Sequence, residues 1–290
     1  MGSRRRGGKS GSSRFALTLI ALVAIVTAGC GGHAGAPSIA VGSATDPESK
    51  LVAHLYAAAL RSYGSPAHVQ SVPDPLTELD SGASRVVPGL TGELLQRFEP
   101  DGTARSAAQV YRAMVSALPE GVAAGDYTTS AEDKPAMAIT KATADSWGGR
   151  DVAVAARNCA KLSVGAVAGT RPPSAIGVCK LLKSREYHDE ATLFAALKAG
   201  QINAAWTTTA TPNIPDDLLT MSDRTSLIRA ENLVPLYRRN ELSEGQVLAV
   251  NEVAGVLDTA ALAQMRGQVA NGTDPGLVAD GYLAEHPLGR

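Results

Sequence analysis

From residue 38 onward, short apolar runs alternate with longer segments whose apolar residues recur at helical spacing, and this restricts the chain to α/β architectures with largely parallel sheets. Residues 38–42 (SIAVG) read as a first strand. Pro47 then opens a helix striped by Leu51, Leu55, Ala58, Ala59 and Tyr63 and stopped at Gly64. Residues 68–72 form a second strand, 74–82 a short helix, 85–88 a third extended piece, and 91–97 the start of another helix. Residues 107–117 are helical, with Val110, Met114, Val115 and Leu118 on one face. The style repeats from Ala136: a strand at 136–140, a helix at 151–158, a strand at 162–167, helices at 174–183 and 191–199, and a strand at 202–206. The last stretch, 243–285, is almost entirely helical, with breaks near Leu257 and at 271–275. Two strand-and-helix sets followed by a helical tail imply two lobes.

The N-terminus has a separate character. Arg4, Arg5, Arg6, Lys9 and Arg14 precede an apolar stretch at 15–26, which is the length of a signal-peptide core and too short for a membrane span. Thr27, Ala28, Gly29 and Cys30 follow and resemble a bacterial lipobox, with Thr27 departing from the usual aliphatic residue. Residues 1–29 are therefore expected to be a lipoprotein signal peptide, Cys30 the lipidated residue, and 30–37 a flexible tether. An ordinary secreted chain with a free Cys near its end is the alternative. On the lipoprotein reading the protein sits at the outer face of the cell membrane as a lipid-anchored monomer. Five of the 27 basic residues belong to the leader, which leaves 22 against 28 acidic ones, a net charge of −6 that argues against a nucleic-acid partner.

The two remaining cysteines, Cys159 and Cys179, are expected to form a disulfide in an oxidising compartment, closing a loop of about twenty residues worth roughly 3 kcal/mol. Neither has a second Cys or a His at ligand spacing, and the five His residues are scattered, so no metal site and no cofactor are expected. Nucleophile elbow, Gly-rich phosphate loop and HExxH helix are all missing, and the chain does not read as an enzyme.

Val41, Gly42 and Ser43 ahead of an acidic helix start, the AMAIT strand, the KAGQINAAW segment at 198–206 and the helical stretch beginning LVPLYRRNELSEGQVLAVNEVAGVLDTAALAQ occur in this order. In these features the chain resembles the glycine betaine and choline substrate-binding proteins of ABC importers, the OpuAC type, over residues 38 to about 287. The resemblance implies a two-lobed, type II periplasmic-binding-protein-like fold joined by two crossovers. Lobe 1 would comprise 38–134 plus 235–290 and lobe 2 the inserted 135–234. It further implies a small-molecule solute between the lobes and an ABC permease as partner.

The aromatic cage that grips quaternary ammonium in that family is not matched. Its aromatic positions fall at Leu90, Pro135, the segment from Thr207 to Pro212, and Glu231. The residues expected to bind ligand are Ser43, Thr45, Asp46, Leu90, Thr91, Asp133, Thr207, Thr208, Glu231 and Asn232, at strand ends and crossovers where open α/β sheets take ligands. Asp133 and Glu231 point to a cationic or polyhydroxylated solute, and no arginine for a plain carboxylate can be placed. Each has a bland counterpart: Thr207 to Thr209 continue a strand, Asp133 and Glu231 are solvated, Trp206 is core rather than a stacking surface, and Tyr127 is exposed rather than closing over the cleft. Tyr237 is expected between the lobes. Two functions stay open: capture of a small polar or cationic, osmolyte-like solute for an importer, or a non-transport surface lipoprotein acting as sensor or assembly factor.

Overall fold

The computed structural model describes residues 37–289; the leader, Cys30 and nearly all of the tether lie outside the described residues. The chain builds β1 (Ile39–Ser43), α1 (Pro47–Ser62), β2 (Ala67–Ser71), α2 (Pro75–Ser81), β3 (Val86–Leu90), α3 (Thr91–Phe98), α4 (Ala107–Ala117) and β4 (Val122–Ala124). It then forms β5 (Pro135–Thr140), α5 (Lys141–Trp147), α6 (Val152–Arg157), a 3₁₀ turn (Cys159–Lys161), β6 (Val164–Val167), β7 (Ala175–Ile176), β8 (Cys179–Lys180), β9 (Arg185–Tyr187), α7 (Glu190–Lys198), β10 (Ala204–Thr208) and β11 (Leu218–Thr220). It returns through β12 (Leu233–Arg238) and ends in α8 (Glu244–Val256), α9 (Thr259–Ala270) and α10 (Pro275–Glu285).

Two five-stranded sheets result, in the orders β2-β1-β3-β12-β4 and β11-β5-β10-β6-β9. In the first, β1 runs parallel to β2 and β3, whereas β12 inserts antiparallel between β3 and β4. The fold is a two-lobed α/β arrangement of the type II kind, each lobe centred on one sheet.

Each sheet is covered on both faces, which is why its strands are apolar at successive positions instead of alternating. In β12, Leu233 and Tyr237 pack with α1 and the three C-terminal helices, while Val234 and Leu236 pack with α3 and α4. In β5, Met137 and Ile139 face α5 and α6, and Ala138 faces α7. Helix starts follow local chemistry: Asp46, Asp74 and Asp274 accept from backbone N–H groups of the first turn with a proline just inside, and Ser243 and Gln246 form a capping box.

The structure departs from the sequence reading at residues 174–183, which form the hairpin β7–β8 and not a helix. Ile176, Cys179, Lys180 and Lys183 imitate helical spacing, but Gly177, at φ 57°, takes the first central position of a two-residue turn. The Cys159–Cys179 disulfide is present, with Cα atoms 5.7 Å apart, and it ties the 3₁₀ turn to β8. Strands β4, β9 and β11 and helix α5 go unread in the sequence. Tyr237 packs within the first lobe's core rather than between lobes, and Tyr127 packs against Tyr111 with ring centroids 4.5 Å apart and the rings tilted by 32°. Trp206 is buried in the second lobe's core.

Candidate functional site

Two short backbone segments cross between the sheets, and they are paired with each other: the Asp133 N–H donates to the Glu231 carbonyl at 2.8 Å, and Glu132 bridges Asn232. Asn232 stitches this junction, donating its Nδ2 to the carbonyls of Thr128 (2.8 Å) and Ala131 (3.1 Å), while its buried Oδ1 finds no partner among the described residues. Thr91 is buried beside it, its hydroxyl accepting from the Asn232 N–H at 3.1 Å.

Glu231 belongs to the same junction. Its carboxylate accepts the N–H groups of Gly92 (2.8 Å) and Glu93 (2.9 Å), capping the N-terminus of α3, where the helix dipole also favours negative charge. Leu90, the residue preceding α3, has no side chain able to cap it, so a carboxylate from the distant crossover takes that place. Gly92 is required by this arrangement: a Cβ there would collide with the Glu231 carboxylate and come 2.6 Å from the Ala230 carbonyl oxygen. Burial nevertheless raises the Glu231 pKa to about 8 against the lowering by its two N–H donors.

At the C-terminal ends of β1 and β3 lies a cavity of 410 Å³, where open α/β sheets bind ligands. Asp46, Glu48, Asp74, Glu93 and Asp133 contribute five carboxyl groups to its wall, and Leu76, Leu90 and Leu94 give it an apolar side. Among the described residues no aromatic side chain lines it. Asp74 is neutralised by Arg97 at 3.0 Å, and this hydrogen bond holds its carboxyl below the ordinary range.

Arg266, on α9, is the residue the sequence reading did not place. One guanidinium nitrogen donates to Asp133 Oδ1 at 2.6 Å and lies 3.4 Å from Thr208 Oγ1; the other is 3.1 Å from Glu48 Oε2. It thus joins α1, a crossover and the end of β10 from a single side chain, itself 20% exposed against 6% for Asp133. Burial, and secondarily the charge of Asp133, push Glu48 up to about 9 despite Arg266, and Asp133 is the nearer of the guanidinium's two carboxyl partners. Glu93 is raised by burial and then by Asp133 and Asp46, with Arg171 of the second lobe opposing. Glu190, at the start of α7, is raised by burial, with Arg266 lowering and Asp133 raising it. The region therefore gathers more carboxyl groups than arginines.

Of the residues expected from sequence, Asp46, Leu90 and Asp133 line the cavity together. Ser43 is buried behind it, 3.3 Å from the Ser71 hydroxyl; Thr45 is exposed at the start of α1 and outside the lining. Thr91, Glu231 and Asn232 form the junction described above. Thr207 and Thr208 continue β10, with the Thr207 hydroxyl buried and unpartnered and that of Thr208 facing Arg266. Glu48, Glu93 and Arg266 are the additions. Among the described residues no group of three His, Cys, Asp or Glu could hold a metal ion, and no single helix is long and apolar enough to cross a membrane.

The sequence profile described as "Substrate binding domain of ABC-type glycine betaine transport system", OpuAC, matches residues 37–285. No curated protein matches the chain in sequence. Among solved structures, YehZ from Escherichia coli, in its apo form, superposes with a TM-score of 0.67 at 21% identity, covering 87% of this chain and 99% of that one. A glycine betaine/carnitine/choline ABC transporter protein gives 0.71 at 14% identity, over 86% and 98% of the two chains. A choline-binding protein in complex with choline gives 0.53 at 15%, over 86% and 89%. At such identities the structural likeness speaks for the fold.

Proposed function

The chain belongs to the OpuAC family of ABC-type substrate-binding domains, and from that premise we propose that it is the extracytoplasmic, lipid-anchored receptor of an importer, carrying a small cationic solute that donates hydrogen bonds. The single observation behind this ligand class is the 410 Å³ cavity: rich in carboxyl groups, without one aromatic ring. A quaternary ammonium group cannot donate a hydrogen bond and relies on ring faces for its attraction. A primary ammonium or guanidinium group donates in several directions and is satisfied by carboxylate oxygens. Asp46 and Glu93 are the groups available to it, because Arg266 already holds Asp133, and the apolar side formed by Leu76, Leu90 and Leu94 suits a short methylene chain.

The test is a thermal-shift and calorimetric screen of agmatine and putrescine against choline and glycine betaine. Saturable stabilisation by the first pair, at least tenfold weaker in a Glu93→Gln variant, is the expected outcome, since a ligand bound only by the folded state raises its stability. Stabilisation by choline or betaine equal to that by the amines would overturn the ligand class while leaving the receptor. The absence of any shift with all four would favour the reading as a surface sensor or assembly factor.

A further inference from the structure

Residues 152–185 contain six basic side chains and not one Asp or Glu, in a chain that beyond this segment and the leader carries 16 basic residues against 28 acidic ones. All six are exposed. Arg171 turns toward the cleft, within electrostatic reach of Glu93. Three of the others belong to the stapled hairpin or its base. Lys161 closes the 3₁₀ turn that carries Cys159, Lys180 follows Cys179, and Lys183 lies just beyond, paired with Glu186 at 3.1 Å.

The hairpin is built to hold its tip still. Ile176 is fully buried in the second lobe's core, Gly177 makes the turn against Leu227, and the disulfide fixes Cys179. At that anchored tip Val178 is 100% exposed, and Leu182 beyond it is 86% exposed. Two apolar side chains are thus held out in water beside the disulfide, with Lys180 and Lys183 next to them in the chain and Lys161 on the turn that the disulfide ties in.

We propose that this stapled hairpin is a contact surface for anionic phospholipid headgroups, with Val178 and Leu182 entering the headgroup boundary and Lys161, Lys180 and Lys183 meeting the lipid phosphates. The composition favours lipid over a protein face. Protein interfaces are enriched in aromatic residues, Met and Arg and depleted in Lys, whereas the rim here is lysine, whose long stem lets the apolar tip descend while the ammonium stays at phosphate level. Charge is complementary: the surface is locally positive on a chain that is otherwise acidic. The proposal takes the extracytoplasmic placement from the receptor reading, but its test uses no solute, so either can fail alone.

Residues 36–290 form one compact unit that holds every described element, and this fragment is sedimented with vesicles of phosphatidylcholine alone and of phosphatidylcholine mixed with phosphatidylglycerol. It should bind the anionic vesicles and be released as salt rises toward about 0.5 M, where screening is severe. Each cation near such a surface strengthens binding about fivefold, so Lys161→Glu with Lys180→Glu should weaken it at least 25-fold by that approximate rule. Val178→Asp with Leu182→Asp should weaken it at least about tenfold. Lys141→Glu, an exposed charge change on α5, should leave it unchanged. All these positions are exposed, and an unaltered thermal midpoint certifies that the variants fold. Failure to bind, equal binding to both vesicles, or the same loss with Lys141→Glu as with the hairpin variants would each overturn the proposal.

Discussion

Replacing Arg266 by Met keeps most of the side chain's aliphatic volume and removes the one cation shared by α1, a crossover and β10. The consequence is set by Asp133, whose carboxylate is 6% exposed and takes the guanidinium at 2.6 Å. Removing one partner of a buried ion pair costs roughly 3–5 kcal/mol, because the other charge is left without compensation. Glu48 moderates this, since burial raises its carboxyl and it shares a hydrogen bond with Asp133. About 3 kcal/mol is therefore expected at pH 7, equivalent to a fall of roughly 6–12 °C in thermal midpoint for a domain of this size. Asp133→Asn added to the variant removes the uncompensated charge and should recover more than half of the deficit. Urea unfolding at pH 7 measures this. A deficit below about 1 kcal/mol, or one that Asp133→Asn leaves unrecovered, would refute the assignment of Asp133 as the balancing charge.

Three further outcomes follow from the geometry. Glu48, raised from 4.5 to about 9 in the folded state, binds a proton there that the unfolded chain has released, so the parent's stability should fall as pH rises from 4.5 to 9, by up to about 1.4 kcal/mol per unit; Glu48→Gln should flatten this slope in urea titrations, leaving the smaller one from Glu231. Gly92→Ala forces a Cβ into the Glu231 carboxylate and the Ala230 carbonyl oxygen and should lower the denaturation midpoint by an amount equivalent to about 1–3 kcal/mol, whereas Gly281→Ala, with open space around its Cβ, should raise it slightly. Cys159→Ala with Cys179→Ala should cost about 3 kcal/mol on the loop-closure model and accelerate amide exchange in β7 and β8 far more than in β1 or β3.

Local chemistry made much of both lobes readable. Asp46 followed by Pro47, and Asp74 followed by Pro75, announce helix starts through their own side chains, and the apolar runs of β1, β5 and β10 need no distant partner to be recognised. The hairpin defeated the same logic because Ile176, Cys179 and Lys180 satisfy helical spacing while the deciding fact, a positive φ at Gly177, is a property of one residue. Arg266 was invisible for another reason. It lies 133 positions from Asp133, and an arginine on a helix ordinarily means a solvated face. One signal was available: Arg266 is the only charged residue in α9, which is unusual for a helix meeting water on one side. Glu231 was found in the sequence but with a different role. Where the family resemblance suggested a ligand contact, its carboxylate holds the N-terminus of α3 through the N–H groups of Gly92 and Glu93. Glu93 also presents its side chain to the cavity, so one residue connects the acidic wall to the crossover junction.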